Sequence, residues 1–176
     1  CERTSNSEAL LLSLKYMIIH IYSLCWNEER MLPYYFRNYD AIADRYFIFD
    51  DASTDASLDI LAKHPRVEIH RFDKQPDSFV GSAHVFNNNI WKKSRNMADW
   101  VIICNMDEQL YHPDLLGYLK QCRDEGITVI PAEGYQMISD SFPDSDQRLC
   151  DLVTRGMRYK KMNKFCIFNP DAIEEI

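Results

Sequence analysis

The chain has 176 residues, 46% hydrophobic and 27% charged, with only five glycines and seven prolines. That is the composition of one globular domain with a sizeable core, and it excludes a fibrous or disordered chain. The formal net charge of -7 argues against a nucleic-acid partner, because phosphate contacts rely on Lys and Arg, but it leaves room for an anionic small ligand bridged by a divalent cation.

No uninterrupted apolar run is long enough for a transmembrane helix. The opening CERTSNSEALLLSLKYM lacks the basic start and small-residue cleavage site of a signal peptide. Residues 1–16 are therefore expected to be an extension outside the fold, and 17–176 a single domain. The cysteines at 1, 25, 104, 122, 150 and 166 form no C-x-x-C pair, which weakens a zinc reading. Cys25 and Cys104 close apolar runs and read as small buried thiols, suited to a reducing cytoplasm.

In chain order, IIHIYSLC (18–25) predicts a buried strand. Residues 28–39 predict a helix with Met31, Leu32, Tyr35 and Phe36 on one face and Pro33 in its first turn. RYFIF (45–49) is a second strand, and DDASTDAS supplies a turn and caps for a short helix bearing Leu58, Ile60 and Leu61. VEIHRF (67–72) is a third strand, followed by a turn-rich loop (73–83) and a helix over 84–98. WVIIC (100–104) is a fourth strand, 114–125 a helix ended by Gly126, and 127–138 carries a fifth strand. A polar loop (139–147) precedes one more apolar run, KFCIF, within 159–173. This alternation implies an α/β fold built of βαβ units. Its sheet is mostly parallel, helices cover both faces, and the crossovers are right-handed.

Ligands of such sheets bind beyond the carboxyl ends of the strands, where strand order reverses. The polar residues fall there. The first strand ends in Cys25-Trp26-Asn27-Glu28, the second in Asp50-Asp51, the fourth in Asn105-Met106-Asp107-Glu108. Neither G-x-G-x-x-G nor G-x-x-x-x-G-K is present, so no dinucleotide fingerprint or P-loop holds phosphate. In extended chain Asn105 and Asp107 would face one way, Met106 and Glu108 the other. An amide oxygen and a carboxylate make a partial site for Mg²⁺ or Mn²⁺, completed by water and substrate phosphate oxygens. Such a metal offsets the charge growing on a leaving diphosphate. A solvated strand end is the competing reading of the same acids.

Asp50 or Asp51 can accept from a base N–H or a ribose hydroxyl, whereas Thr54 and Asp55 read as helix caps. Trp26 is a candidate cover for a nucleobase, against a packing or surface role. Trp91, Lys92, Lys93 and Arg95 crowd the helix before the fourth strand. One of these cations is a candidate for the diphosphate, and the others read as a solvated face. His84 and His112 have no partner at metal-ligand spacing and read as structural or exposed.

Taken together, IYSLCWNEERMLPYYFRNY, FIFDDASTDAS and ADWVIICNMDEQLYHPDLL resemble the glycosyltransferase family 2 pattern. In that pattern an Asn-Glu pair follows the first strand, Asp-Asp the second, and Asp-x-Asp a Trp-led later strand. The resemblance implies a GT-A fold, a three-layer α/β sandwich around a mostly parallel mixed sheet. It implies a nucleotide-sugar donor such as a UDP-sugar, Mn²⁺ or Mg²⁺, and transfer with inversion to a saccharide or lipid-linked acceptor. It further implies polysaccharide biosynthesis in the cytoplasm, with peripheral association at the inner face of the membrane.

By position, Asp50 and Asp51 would touch base and ribose. Cys25, Trp26, Asn27 and Glu28 would lie nearby, and Trp91, Lys92 and Met106 would complete the donor side. Asp107 would be the metal and diphosphate residue. Asn105 stands where the family has its first Asp, which removes one charge and keeps one oxygen. Glu133 is the candidate general base, with Glu108 and Asp140 behind it.

Domains of the family usually run longer, so the chain is expected to stop short of a full one. That shortness and Asn105 keep open a second reading, a non-catalytic nucleotide- or sugar-binding module. A more distant one, a nucleotidyltransferase, calls for a Gly-rich basic loop where this chain has Trp26-Asn27-Glu28-Glu29.

Overall fold

The computed structural model describes residues 17–74, 78–144 and 146–176, so the expected extension over 1–16 lies outside the described residues. In order come β1 (Ile19–Cys25), α1 (Leu32–Tyr39), β2 (Arg45–Asp50), α2 (Ser57–Ala62), β3 (Val67–Arg71) and α3 (Phe79–Asn89). A 3-10 turn (Ile90–Ser94) leads to β4 (Trp100–Ile103), α4 (Leu115–Asp124) and β5 (Val129–Ala132). Then follow β6 (Tyr135–Met137), α5 (Leu149–Leu152), β7 (Gly156–Arg158), a second 3-10 turn (Lys160–Met162) and β8 (Lys164–Phe168).

The main sheet has the order β3-β2-β1-β4-β8-β5. Its first four strands are parallel, and β8 runs antiparallel to both β4 and β5. The α/β class and mostly parallel sheet expected from the sequence are therefore present. β6 and β7 form a separate antiparallel ribbon.

Alternation along the strands makes two cores. Ile19, Ile21, Tyr46, Ile48, Trp100 and Ile102 point to one face and pack with Tyr35 and Tyr39 of α1, Leu61 of α2 and Leu119 of α4. Tyr22, Phe47, Phe49, Val101 and Ile103 point to the other and pack with Phe86 of α3 and Trp91. The starts of the strands are tied down by polar groups. Asp99 accepts from the Ile18 N–H at 2.7 Å and Asp44 from the Ile19 N–H at 2.8 Å. Asp40 gathers the Tyr46 hydroxyl, His64 and Arg66 at 2.8, 3.1 and 2.8 Å.

Four local readings change. The helix expected from residue 28 begins at Leu32, with Pro33 in its first turn, because 28–31 form a turn in which the Glu28 carbonyl accepts from the Met31 and Leu32 N–H groups. The helix expected over 84–98 starts earlier, at Phe79, where the Ser78 hydroxyl accepts from the Gly81 N–H at 2.9 Å, and it ends as a 3-10 turn. The strand expected within 127–138 divides into β5 and β6 around Glu133-Gly134. A Cβ on Gly134 would stand 2.3 Å from the Met162 Cβ, so the crossing of these segments requires glycine. KFCIF, read as one more apolar run, is β8 and fills the main sheet between β4 and β5. Gly126 ends α4 in the left-handed region, φ 75°.

Candidate functional site

The carboxyl ends of β1, β2 and β4 lie side by side, with Cys25 paired to Asp50 across β1 and β2. The loops leaving β1 and β2 are locked to each other. Asn27 has φ 56°, and its side-chain oxygen accepts from the N–H groups of Thr54 at 2.7 Å and Asp55 at 3.3 Å. Its own N–H donates to the Ser53 hydroxyl at 2.9 Å. The Glu28 N–H donates to Ser57 Oγ at 2.7 Å, and Glu29 Oε2 accepts from the Ala56 N–H at 3.0 Å. Asp55 accepts from the Glu29 and Ser57 N–H groups, the cap-like work expected of it. Asn-Glu after the first strand and Ser-Thr-Asp after the second are thus two halves of one hydrogen-bonded structure.

The two aspartates after β2 do different things. Asp50 is buried, and its carboxylate accepts from the Ser53 N–H at 3.1 Å. Asp51 forms an ion pair with Lys74 at 3.1 Å. Asp51 and Lys74 border a cleft of about 620 Å³ beyond β2 and β3, which Leu58, Ile69, His70 and Arg71 also line. Sequence reading missed the β3 side of this cleft, since nothing in VEIHRFDK marks a binding loop until β3 is seen beside β2. Ala52, which also lines the cleft, holds φ 57°, a strained conformation for a residue with a Cβ. Trp26 is 63% exposed and presents a wide apolar surface.

After β4 the chain does not stay extended as expected. It folds into a turn in which the Glu108 N–H donates to the Asn105 carbonyl at 3.1 Å. Met106 is buried in the first core, so its side chain packs and does not face a donor. Asn105 and Asp107 are exposed. Glu108 is held by Lys164 of β8 at 2.6 Å, a partner visible only once β8 lies beside β4. Burial first, then the Glu108 charge, push the Asp107 carboxyl above the usual range even though it reaches solvent. Glu28 is half-buried; burial first, then the Asp107 and Asp55 charges, push its carboxyl up to about 7. The Asp107 carboxylate after β4 is thus one cause of the raised Glu28 carboxyl after β1.

Asn105, Asp107 and Glu28 offer oxygens, but among the described residues no three His, Cys, Asp or Glu side chains gather into a metal-holding group. The donor set fits a hard cation held jointly with a ligand's phosphates, and does not fit a closed all-protein cage.

Other expected residues sit elsewhere. Trp91 is fully buried, its ring 4.9 Å edge-on from Phe168. Lys92 bonds Asn89 at 3.1 Å on the outer turn. A crossover helix runs against its strands, so the start of α3 lies near the strand ends and its last turn near the strand starts. Phe79 accordingly meets Phe72 just beyond β3, while Ser94 bonds His20 near the start of β1. Trp91 and Lys92 are removed from the donor side by that geometry. Arg95 bonds the carbonyls of Pro170 and Ile173, and Lys93 lies over Phe47. Cys25 is buried, and burial first pushes its thiol up to about 11. Glu133 is exposed beyond β5 and paired with Arg158. Asp140 pairs with Arg155 at 2.9 Å. His84 shares a hydrogen bond with Asn88 of its own helix, and His112 stacks on Tyr118.

Comparison with protein-family profiles gives no match, and neither does comparison with curated proteins. Among solved structures the chain is similar to one described as the crystal structure of 4-diphosphocytidyl-2C-methyl-D-erythritol synthase. The TM-score is 0.50 at 8% identity, over 90% of this chain and 78% of that one. What the two share at that identity is the fold, a Rossmann-like α/β architecture around a mostly parallel sheet.

Proposed function

We propose that this domain is a glycosyltransferase that moves a sugar from a nucleotide-diphosphate donor to an acceptor hydroxyl with inversion. The observation that carries the reading is the meeting of three strand-end loops at one edge of the sheet, two of them hydrogen-bonded into a single unit. The fold neighbour, whose name states a diphosphocytidyl compound, supports a nucleotide diphosphate as the ligand class.

In this reading the cleft beside Asp51 takes base and ribose, and Trp26 offers an exposed aromatic face just after β1. Asp107, with Asn105 and Glu28 close by, would hold Mn²⁺ or Mg²⁺ against the diphosphate, where the metal supplies charge neutralisation. The acceptor oxygen attacks the anomeric carbon, the bond from that carbon to the diphosphate oxygen breaks, and the hydroxyl proton passes to a base. Glu133 is the candidate base, oriented by Arg158. Lipid-linked and saccharide acceptors both suit this chemistry, at the cytoplasmic face of a membrane. Among the described residues no helix is long and apolar enough to cross one.

A thermal-shift panel of UDP-, GDP- and dTDP-sugars with Mn²⁺ or Mg²⁺ tests donor binding, since a ligand specific for the folded state raises stability. One donor should shift the melting point; no shift with any rejects the reading. Glu133→Gln should abolish transfer and leave the donor shift intact, and normal turnover would remove Glu133 as base. Asn105 favours a second reading, a non-catalytic nucleotide-sugar-binding module. Slow metal-dependent donor hydrolysis separates the two.

A further inference from the structure

The carboxyl edge of the main sheet holds its polar residues in a row. The cleft beside Asp51 lies beyond β2 and β3, Trp26 follows β1, Asp107 follows β4 and Glu133 follows β5. Between the last two stands β8. It runs antiparallel to both neighbours, so its first residues, Lys164 and Phe165, lie at this same edge. Lys164 pairs with Ala132, one residue before Glu133, and its amine holds Glu108, next to Asp107. The register of Val101 with Phe168 and Ile102 with Ile167, carried on, sets Phe165 beside Cys104, one residue before Asn105. Neighbouring strands lie about 4.8 Å apart, so the ends of β4 and β5 are separated by roughly 10 Å and β8 fills the gap.

Phe165 is out of keeping with its strand. Cys166, Ile167 and Phe168 are buried, whereas the Phe165 ring is 63% exposed. Two more exposed rings accompany it, Tyr135 and Tyr159. Tyr135 stands two residues beyond Glu133, and the Tyr159 N–H donates to the carbonyl of Gly134, the residue between them, at 2.9 Å. Three exposed aromatic side chains thus neighbour the Glu133–Arg158 pair, in the sheet or along the chain. Arg158 and Lys164, the cations on these strands, are each held by a carboxylate.

We infer that Phe165 is the stacking platform of the acceptor, and that the acceptor presents a pyranose ring to it. This rests on the sugar transfer proposed for the site. The acceptor hydroxyl must lie within reach both of Glu133 and of the anomeric carbon held at Asp107, and β8 is the strand between them. A pyranose has an apolar C–H face and a rim of hydroxyls. The face suits an exposed aromatic ring, and the rim suits the carboxylate of Glu133 and the guanidinium of Arg158. An acceptor recognised through a lipid-linked phosphate would call for a free cation where Arg158 and Lys164 are already paired.

Methyl pyranosides (the glucoside, galactoside, mannoside and N-acetylglucosaminide) test it with the full chain, Mn²⁺ and the donor that gives a thermal shift. At least one should speed release of the nucleoside diphosphate. Phe165→Ala should raise the KM for that pyranoside roughly tenfold, with kcat little changed. Phe165→Trp should restore the KM. The ring is exposed, so both variants should keep the parent melting point, the donor-induced shift and the slow donor hydrolysis seen without acceptor. An unchanged KM in Phe165→Ala overturns the assignment, as does a donor hydrolysis that no pyranoside accelerates. Loss of the donor shift in Phe165→Ala also overturns it, because the ring would then serve the donor. If no donor binds the parent chain, the transfer reading itself fails and the role of Phe165 falls with it.

Discussion

Glu28→Gln tests the electrostatics of the site most directly. In the fold the Glu28 carboxyl titrates at about 7 against an ordinary value of 4.5. Between those two values the folded chain binds a proton that the unfolded chain has released. Stability therefore falls as pH rises through this window, and the whole cost of ionising Glu28 is present above pH ~7. A shift of this size corresponds to at most about 3 kcal/mol, less with the solvent that reaches a half-buried group. Glutamine keeps the shape and removes the charge. Urea unfolding at pH ~8 should show the variant more stable by about 2 kcal/mol, with the two chains converging toward pH ~4. Asp107→Asn should give part of the same gain, and the double variant less than the sum, because the Asp107 charge is one cause of the Glu28 cost. Mn²⁺ should stabilise the parent chain at pH ~8 and the Glu28→Gln variant less. Parallel pH profiles for parent and variant would refute the opposition of these two carboxylates.

Asn27→Ala should cost about 2 kcal/mol, roughly 1 for the left-handed backbone and 1 for the lost acceptor of the Thr54 and Asp55 N–H groups. Asn27→Gly should cost only about 1 kcal/mol, since it keeps the backbone freedom, and equal costs in urea unfolding would discard that division. Ala52→Gly should stabilise by about 1 kcal/mol by relieving φ 57°. Phe168→Ala should destabilise by about 3–5 kcal/mol, because the ring is fully buried against Trp91 on an interior strand of the sheet. A cost below about 1 kcal/mol would mean that β8 is not an integral strand.

The parallel half of the fold is legible in the sequence because each unit is local. An apolar run is followed by a helix that covers it, and the next run lies beside the first. β8 is not legible in that way. Its neighbours are Val101 and Ile102 of β4 and Val129 and Ile130 of β5, and no short-range signal in KFCIF selects them. The same distance hides Lys164 as the partner of Glu108 and the β3 edge of the cleft beside Asp51. Trp91 misleads for a different reason. A Trp beside two Lys reads as a surface patch, whereas the 3-10 turn sends the ring inward and the amines outward.

The two sides of the site are built on opposite principles. On the β1–β2 side, the polar side chains of Asn27, Asp50, Ser53 and Ser57 satisfy backbone N–H groups. A loop fixed in that way needs no reorganisation before it meets a base or ribose, and so loses little entropy on binding. On the β1–β4 side, the Asp107 charge raises the cost of ionising Glu28, the Glu108 charge raises that of Asp107, and Lys164 is paired with Glu108. A divalent ion arriving with a diphosphate would relieve that cost, so its binding is strengthened by the destabilisation it removes. Asn105 limits the effect: a second aspartate there would raise both the cost without metal and the gain with it. Asn105→Asp should therefore lower stability of the free chain above neutral pH and increase the stabilisation by Mn²⁺. A variant that loses stability without gaining a stronger Mn²⁺ response would show that the β4 turn points its first residue away from the ion.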